Sequence, residues 1–165
     1  MSDQGAAYLA FVEGELRAER ERRATFDARG QGLITTSGVL VTLLGGLAAV
    51  VRGGTAVRPA PIAVVIVVLA LTLFVMAAIC GIVAGWNRRY AVTTYGTITT
   101  MLGAHWTDTE VDARNNIATV HAKTINTLRA ANKFKAACVS AGLILQVLAV
   151  TTFASGLVVL LGQTG

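Results

Sequence analysis

Side chains that perform catalysis or bind metals are few in this sequence, and they are not clustered. His105 and His121 are the two histidines of the chain, and neither has a second His or Cys three or four positions away to complete a metal site. Cys80 and Cys138 both lie in apolar runs, which disfavour the thiolate that nucleophilic catalysis and metal binding require. No acid–base pair or metal-ligand spacing is present. The sequence therefore predicts neither an enzyme nor a bound metal or cofactor.

Polar side chains inside the long apolar blocks are the next candidates for function. Gln146 is the most polar of them, and its amide must find a hydrogen-bond partner on another helix or on a neighbouring protomer. Thr151, Ser155 and Thr42 would join it on one inner surface if the helices line a pore. No Asp, Glu, Lys, Arg or His lies inside any block, which disfavours a proton-relay transporter.

Basic side chains flank the apolar blocks and give the chain, with 14 Lys and Arg against 9 Asp and Glu, a net charge of +5. Cations beside a membrane span contact anionic lipid headgroups. A basic surface with several asparagines also suits a phosphate or nucleotide, but no Gly-rich phosphate loop accompanies it. We therefore expect these cations to contact anionic lipid in preference to a nucleotide, and we expect no nucleic acid as a partner. The cations are Arg88, Arg89, Arg114, Lys123, Arg129, Lys133 and Lys135.

The elements that carry these residues follow from composition. Of 165 residues, 54% are apolar and 14% are charged, whereas soluble proteins have about 25% charged residues. Mean hydropathy is +0.63, and the apolar residues form uncharged blocks at 33–51, 62–86 and 137–161, each long enough to cross a bilayer. The sequence predicts an all-α integral membrane protein with three transmembrane helices and a cytosolic helical stalk or bundle.

The cytosolic part is expected to consist of residues 1–32 and 87–136. Residues 3–30 form an amphipathic helix if Glu19, Arg23 and Gly30 fill the gaps in a three- and four-residue spacing of apolar side chains, namely Leu9, Val12, Leu16, Phe26 and Leu33. Residues 91–104, which are rich in Thr and Gly, are predicted to be loop or short irregular pieces. A capping box from Thr107 to Glu110 would start one helix that runs unbroken into the third span.

Charge also predicts the orientation in the membrane. The N-terminal segment has five arginines and 87–136 has seven Lys and Arg, against two in the turn 52–61 and none in the tail. The positive-inside rule therefore places the N-terminus and the 87–136 segment in the cytosol and the C-terminus outside a plasma membrane. Residues 1–30 lack the apolar core of a signal peptide, so the first span would serve as the targeting signal.

Small residues at four-residue spacing mark where helices can approach closely. The first span offers Gly38, Thr42, Gly45 and Gly46, and the second offers Ala77, Gly81 and Gly85, of which the last two form a GxxxG motif. Such residues serve either packing within the chain or contact between copies. We expect the bilayer and a homo-oligomer as partners.

Three stretches resemble a family of small actinobacterial integral membrane proteins that has no assigned activity. These stretches are 15–23 with Ala28-Arg29-Gly30, Ile34-Thr35-Thr36-Ser37-Gly38, and 133–137 running into the third span. In layout, the chain is also similar to the transmembrane effectors of Pycsar-type anti-phage systems and to the SLATT family. That likeness implies a nucleotide-triggered membrane effector. The function expected is a small oligomeric inner-membrane channel or pore-forming effector gated by its cytosolic helices, and the alternative is a non-conducting scaffold or accessory subunit.

Overall fold

A computed structural model describes residues 4–54, 61–86 and 90–161, with side chains described for 4–46, 61–86 and 90–159. Its elements are α1 (Gln4–Gly54), α2 (Pro61–Gly85), α3 (Tyr95–Leu102) and α4 (Glu110–Leu161). These ranges contain no strand, and the all-α prediction is confirmed. The predicted unbroken helix into the third apolar block is confirmed, because α4 runs without a break from a charged segment into that block, and α1 runs in the same way into the first block.

α4 starts two residues later than the predicted capping box implies. The Thr109 side-chain oxygen accepts a hydrogen bond from the Asp112 backbone N–H at 3.3 Å, and its hydroxyl donates to the Asp112 carboxylate at 2.6 Å. Thr109 is therefore the N-cap, with an acidic residue three positions later, and the expected box at 107–110 is wrong. Asp108 is instead engaged with the His105 ring, Nδ1 to Oδ2, at 2.8 Å.

The stretch predicted to be loop contains the short helix α3. Its N-cap is Thr94, whose hydroxyl oxygen accepts from the Thr97 backbone N–H at 3.3 Å, and it ends at Gly103. Thr99 and Thr100 donate their hydroxyls to backbone carbonyls inside this helix. Threonine side chains therefore cap α3 and form hydrogen bonds with its own backbone, although a composition rich in threonine suggests a loop.

The chain divides into two compact units. Unit 1 comprises Met1–Thr25 and Asn87–Phe134, and unit 2 comprises Phe26–Trp86 and Lys135–Gly165, so α1 and α4 contribute to both. In unit 1, α1 and α4 run parallel, with Gly5 beside Arg114 and Leu16 against Ile125 and Leu128. The α1 residues at the predicted three- and four-residue spacing are buried or half-buried there, including the charged Glu19 and Arg23.

In unit 2, α1 and α4 are again parallel and α2 is antiparallel to both. Gly142 of α4 lies beside Ala77 and Cys80 of α2, while Gly156 lies beside Ile66. As numbers rise along α4 they therefore fall along α2. On α2, the side that packs in unit 2 has an alanine at every seventh position. All four alanines are buried: Ala63, Ala70, Ala77 and Ala84.

Two described helices, α2 and α4, are long and apolar enough to cross a membrane, against three predicted spans. The apolar windows of these helices are only 22% and 17% buried within the chain. The first predicted span, 33–51, lies in α1, and its last residues, 47–51, fall outside the range whose side chains are described.

Candidate functional site

A buried carboxylate joins the two helices of unit 1. Glu19 of α1 is 2% exposed, and its Oε1 accepts from Arg129 Nε at 3.2 Å and from Arg22 Nη1 at 3.0 Å. The Asn132 amide donates to Glu19 Oε2 at 2.9 Å and to the Glu19 backbone carbonyl at 3.0 Å. Arg129 also pairs with Glu15. We call Glu15, Glu19, Arg129 and Asn132 the polar clamp, since these residues bond α1 to α4.

The pKa of Glu19 is set by opposing effects. Burial by itself raises it, but the hydrogen bonds from Asn132 and Arg129 and the charges of Arg22 and Arg129 outweigh burial and hold it below its ordinary value of 4.5. A lowered folded pKa stabilises the fold above the ordinary value, and that contribution is lost as the pH falls through the folded pKa.

This gives a pH prediction for Glu19→Gln. The wild type should be more stable than the variant at pH 7, and the difference should shrink as the pH falls below about 4.5, because the Glu19 carboxylate is protonated first in the unfolded chain and only at lower pH in the folded protein. Thermal unfolding of both proteins in detergent between pH 7 and pH 3 measures this. A stability difference that stays constant across the range would contradict the role assigned to the carboxylate.

A second ion pair lies in unit 2. Lys135 of α4 is 1% exposed and its ammonium donates to the Asp27 carboxylate of α1. Buried lysines need such a partner, because an isolated ammonium is strongly disfavoured away from water. Lys135 is thus an internal residue and not part of a headgroup-contacting surface.

The other predicted headgroup contacts divide in the same way. Arg114 pairs with Glu110 one turn earlier on α4, and Arg129 belongs to the polar clamp. Lys123 and Lys133 are exposed and have no ion-pair partner in the described part of the chain. Arg88 and Arg89 lie outside the described residues. The linear sequence shows Glu110 four residues before Arg114, but it does not show that carboxylates of α1 face Arg129 and Lys135 of α4.

Gln146 lies in a cleft between α1 and α4 within unit 2. Its side chain is half-buried, and Nε2 is buried with no hydrogen-bond partner among the described residues. The cleft has a volume of about 300 Å³, and residues from both helices line it: Arg29, Gly32, Leu33, Thr36, Val139, Leu143 and Gln146. Gln146 thus lines a cleft of the chain, and both N–H donors of its buried Nε2 are unused in the described residues.

The four polar residues proposed for one inner surface do not share a face. Thr151 lies five residues after Gln146, about 140° away around a helix that turns about 100° per residue, and Ser155 lies about 180° away. Thr151 donates to the Val147 and Leu148 carbonyls, and Ser155 donates to the Thr151 carbonyl. Both are exposed. A single stripe through Gln146, Thr151 and Ser155 is therefore ruled out by helix geometry.

The predicted packing residues separate into two groups. Ala77 is buried, and Gly81 lies so close to α1 that an added Cβ would stand 2.7 Å from the Gly30 carbonyl oxygen. Around the others an added Cβ would meet nothing within 4 Å, namely Gly38, Gly45, Gly46 and Gly85. Thr42 is exposed and donates its hydroxyl to the Gly38 carbonyl at 2.9 Å. The chain itself uses Ala77 and Gly81 for packing and leaves the stripe on α1 uncovered.

The exposed surface of α1 in unit 2 has two sides of different character. One side consists of small or hydroxyl-bearing residues at three- and four-residue spacing, which we call the small face: Thr35, Gly38, Thr42 and Gly45. The other side carries Val39 and Leu43, which are 54% and 63% exposed. The small face allows a second helix to approach closely, whereas Val39 and Leu43 suit contact with lipid chains.

The histidines and cysteines are dispersed. His105 is half exposed beside Asp108, and His121 is half-buried with Nδ1 unpaired in the described residues. Cys80 and Cys138 are half-buried in unit 2, where Cys138 packs against the core residues Leu33, Ala84 and Val139. Residues 4–54, 61–86 and 90–161 hold no group of three His, Cys, Asp or Glu side chains that could bind a metal.

Comparison with protein-family models, with curated proteins and with solved structures finds no match to this chain. The resemblances stated above therefore stay predictions, and function has to be argued from the geometry.

Proposed function

We propose that this protein crosses a membrane with three helices, assembles into a homo-oligomer through the small face of α1, and acts as a channel or pore-forming effector. In this proposal unit 1 lies in the cytosol, the C-terminus lies outside, and the parallel α1–α4 pair of unit 1 controls the membrane helices. The proposal of a homo-oligomer rests on the exposed small face of α1.

The exposed apolar surface supports the membrane location. The apolar windows of α2 and α4 are mostly uncovered in the chain, and large apolar side chains on α2 point outward, for example Val65 at 64% and Ile82 at 52% exposed. A soluble core helix would bury most of such a surface. The first span, 33–51, is proposed on its sequence.

The small face supports self-association. In lipid, helices gain little from burying apolar side chains, so they associate where small residues allow close backbone contact. Thr35 and Thr42 already donate their hydroxyls to carbonyls of their own helix, so another helix can cover them without leaving a donor unsatisfied. Around a symmetric ring, the same face would bring hydroxyl-bearing residues near the axis, which is what a conducting path requires.

Cysteine cross-linking tests the assembly. In a Cys80→Ala, Cys138→Ala background, Thr42→Cys should form a disulfide-linked dimer in membranes under mild oxidation, because the small faces of neighbouring copies meet there. Leu43→Cys is the matched control: it is exposed and adjacent in sequence, but it points about 100° away around the helix. We expect at least tenfold more dimer with Thr42→Cys, and equal cross-linking of the two variants would contradict the proposal.

Conduction requires a separate measurement. The mass of the particle in detergent or nanodiscs, followed by ion flux from liposomes with and without cyclic nucleotides, should give a defined oligomer of four or more copies and measurable flux. A monomer or dimer has too few helices to line an aqueous path and would contradict the channel.

One observation favours the second candidate, a non-conducting scaffold or accessory subunit. Gln146 lines a cleft within the chain, and Thr151 and Ser155 lie about 140° and about 180° away from it around α4. These three residues therefore do not combine into a polar lining. A defined oligomer without flux under any condition would select the scaffold.

A further inference from the structure

The cleft of unit 2 has a cation at one end and an unused amide donor at the other. Arg29 is exposed and has no ion-pair partner in the described part of the chain. Seven residues separate Arg29 from Thr36 on α1, and seven separate Val139 from Gln146 on α4, so the cleft is about 10 Å long at about 1.5 Å per residue. Apolar side chains, Leu33, Val139 and Leu143, line the part between its ends.

Both polar groups at the ends of this cleft are hydrogen-bond donors that require an acceptor. An arginine carries only donors, and a buried amide donor without a partner is costly, since its hydrogen bonds to water are lost and not replaced. Hydrocarbon chains cannot supply an acceptor at either position. The occupant that satisfies this cleft must offer anionic oxygen at one end, an apolar body, and a further oxygen acceptor.

We propose that the cleft between α1 and α4 binds one anionic phospholipid, with its phosphate at Arg29 and an ester carbonyl accepting from the Gln146 amide, whose covered Nε2 turns into the cleft when the lipid binds. This inference rests on the proposed membrane location and is independent of conduction and of self-association. The cleft lies where the first and third predicted spans begin, so Arg29 falls at the level of the headgroups and Gln146 below it. Basic clefts between membrane helices on the cytosolic side are suited to anionic headgroups.

The chain offers a direct way to block the cleft. Gly32 lies on its wall, and a Cβ added there would meet nothing within 4 Å. Gly32→Leu should therefore fill the space that the lipid occupies without forcing apart any contact of the chain. Arg29→Gln removes the charge, and Gln146→Leu removes the donor while keeping a side chain of similar size.

Two control variants make comparable changes outside the cleft. Arg20→Gln removes an exposed arginine of α1 in unit 1, and Thr151→Leu adds an apolar side chain to an exposed position of α4. Neither residue lines the cleft, so both variants should retain lipid as the wild type does.

Native mass spectrometry and thermal unfolding of the full chain test the proposal. With phosphatidylglycerol or phosphatidylcholine added to the detergent-solubilised protein, we expect one retained phosphatidylglycerol per chain and an affinity about fivefold higher than for phosphatidylcholine. Arg29→Gln should abolish this preference. Gln146→Leu should weaken binding about fivefold, and Gly32→Leu more than tenfold.

The Gln146→Leu variant separates a lipid site from a merely structural role. Without added lipid, its midpoint of unfolding should equal or exceed that of the wild type, because the unpaired donor is gone. With phosphatidylglycerol, the wild type should gain stability by mass action and the variant should gain much less. A Gln146→Leu variant that is less stable than the wild type in both conditions would overturn the assignment.

The remaining outcomes are equally decisive. Equal retention of the two lipids by the wild type, or retention by Gly32→Leu at the wild-type level, would overturn the proposal. Sodium phosphate or glycerol phosphate that stabilises the wild type as much as phosphatidylglycerol would identify a free phosphate as the ligand and refute the lipid. The same spectra report the oligomer mass, so a monomer with bound lipid would refute assembly and leave the cleft assignment standing.

Discussion

Replacing Gly81 by alanine is expected to destabilise unit 2 by about 1–3 kcal/mol, because overpacking of a close contact costs that much. The added Cβ would stand 2.7 Å from the Gly30 carbonyl oxygen and 3.2 Å from the Leu33 Cβ. A backbone oxygen cannot rotate away as a long side chain can, so α1 and α2 would have to separate. Elsewhere in a helix the same replacement gains about 1 kcal/mol from helix propensity.

Gly85 is the matched control for this prediction. It lies one turn further along α2, is exposed, and has nothing within 4 Å of an added Cβ. Gly85→Ala should therefore leave the midpoint of thermal unfolding unchanged or raise it, whereas Gly81→Ala should lower it by about 2–4 °C per kcal/mol. If the two variants shift the midpoint in the same direction by similar amounts, α1 and α2 do not meet at Gly81.

The contrast between these glycines also shows what the sequence can predict. A GxxxG spacing marks both Gly81 and Gly85 as packing residues, but an added Cβ would meet the partner helix at Gly81 alone of the two. The sequence holds a better signal in the alanine at every seventh position of α2, from Ala63 to Ala84, which identifies the buried side of the helix. A search for four-residue spacing alone misses it.

The spacing in α1 was more informative. Leu16 and Leu33 are buried at the predicted positions, and Glu19 and Gly30 fill the gaps between apolar residues as the spacing requires. Periodicity could predict that Glu19 faces another helix, since a helical face is a local property. It could not predict the partners Arg129 and Asn132, because they lie more than 100 positions away, and only the parallel register of α1 and α4 brings them together.

The failure for Gln146 has a different origin. Its distance from Thr151 in sequence already implies opposite faces at about 100° per residue, so the pore stripe could have been rejected without coordinates. The cleft around Gln146 could not have been anticipated, because Arg29 and Gly32 reach it from a helix whose register against α4 is a tertiary property.

The polar clamp of unit 1 leads to the second prediction: Asn132→Leu should destabilise the protein by about 2–4 kcal/mol. The variant loses two hydrogen bonds to Glu19, at 2.9 Å and 3.0 Å, and leaves a carboxylate that is 2% exposed with fewer donors. Part of this cost is offset because Asn132 Oδ1 has no partner in the described residues and is removed as well. Asn126→Leu, at an exposed position on α4, should change stability by about 0.5 kcal/mol or less.

A double variant decides whether the cost comes from the stranded carboxylate or from lost packing. In Glu19→Leu, Asn132→Leu both partners are apolar and no buried charge remains, so stability should recover to within about 1 kcal/mol of the wild type. Arg129 tolerates the change because it keeps Glu15 as a partner and is half exposed. Thermal unfolding in detergent at pH 7 of the wild type, both single variants and the double variant measures the complete double-mutant cycle. If the double variant is instead as unstable as the sum of the single ones, then Glu19 and Asn132 act independently, and the clamp does not join α1 to α4 through them.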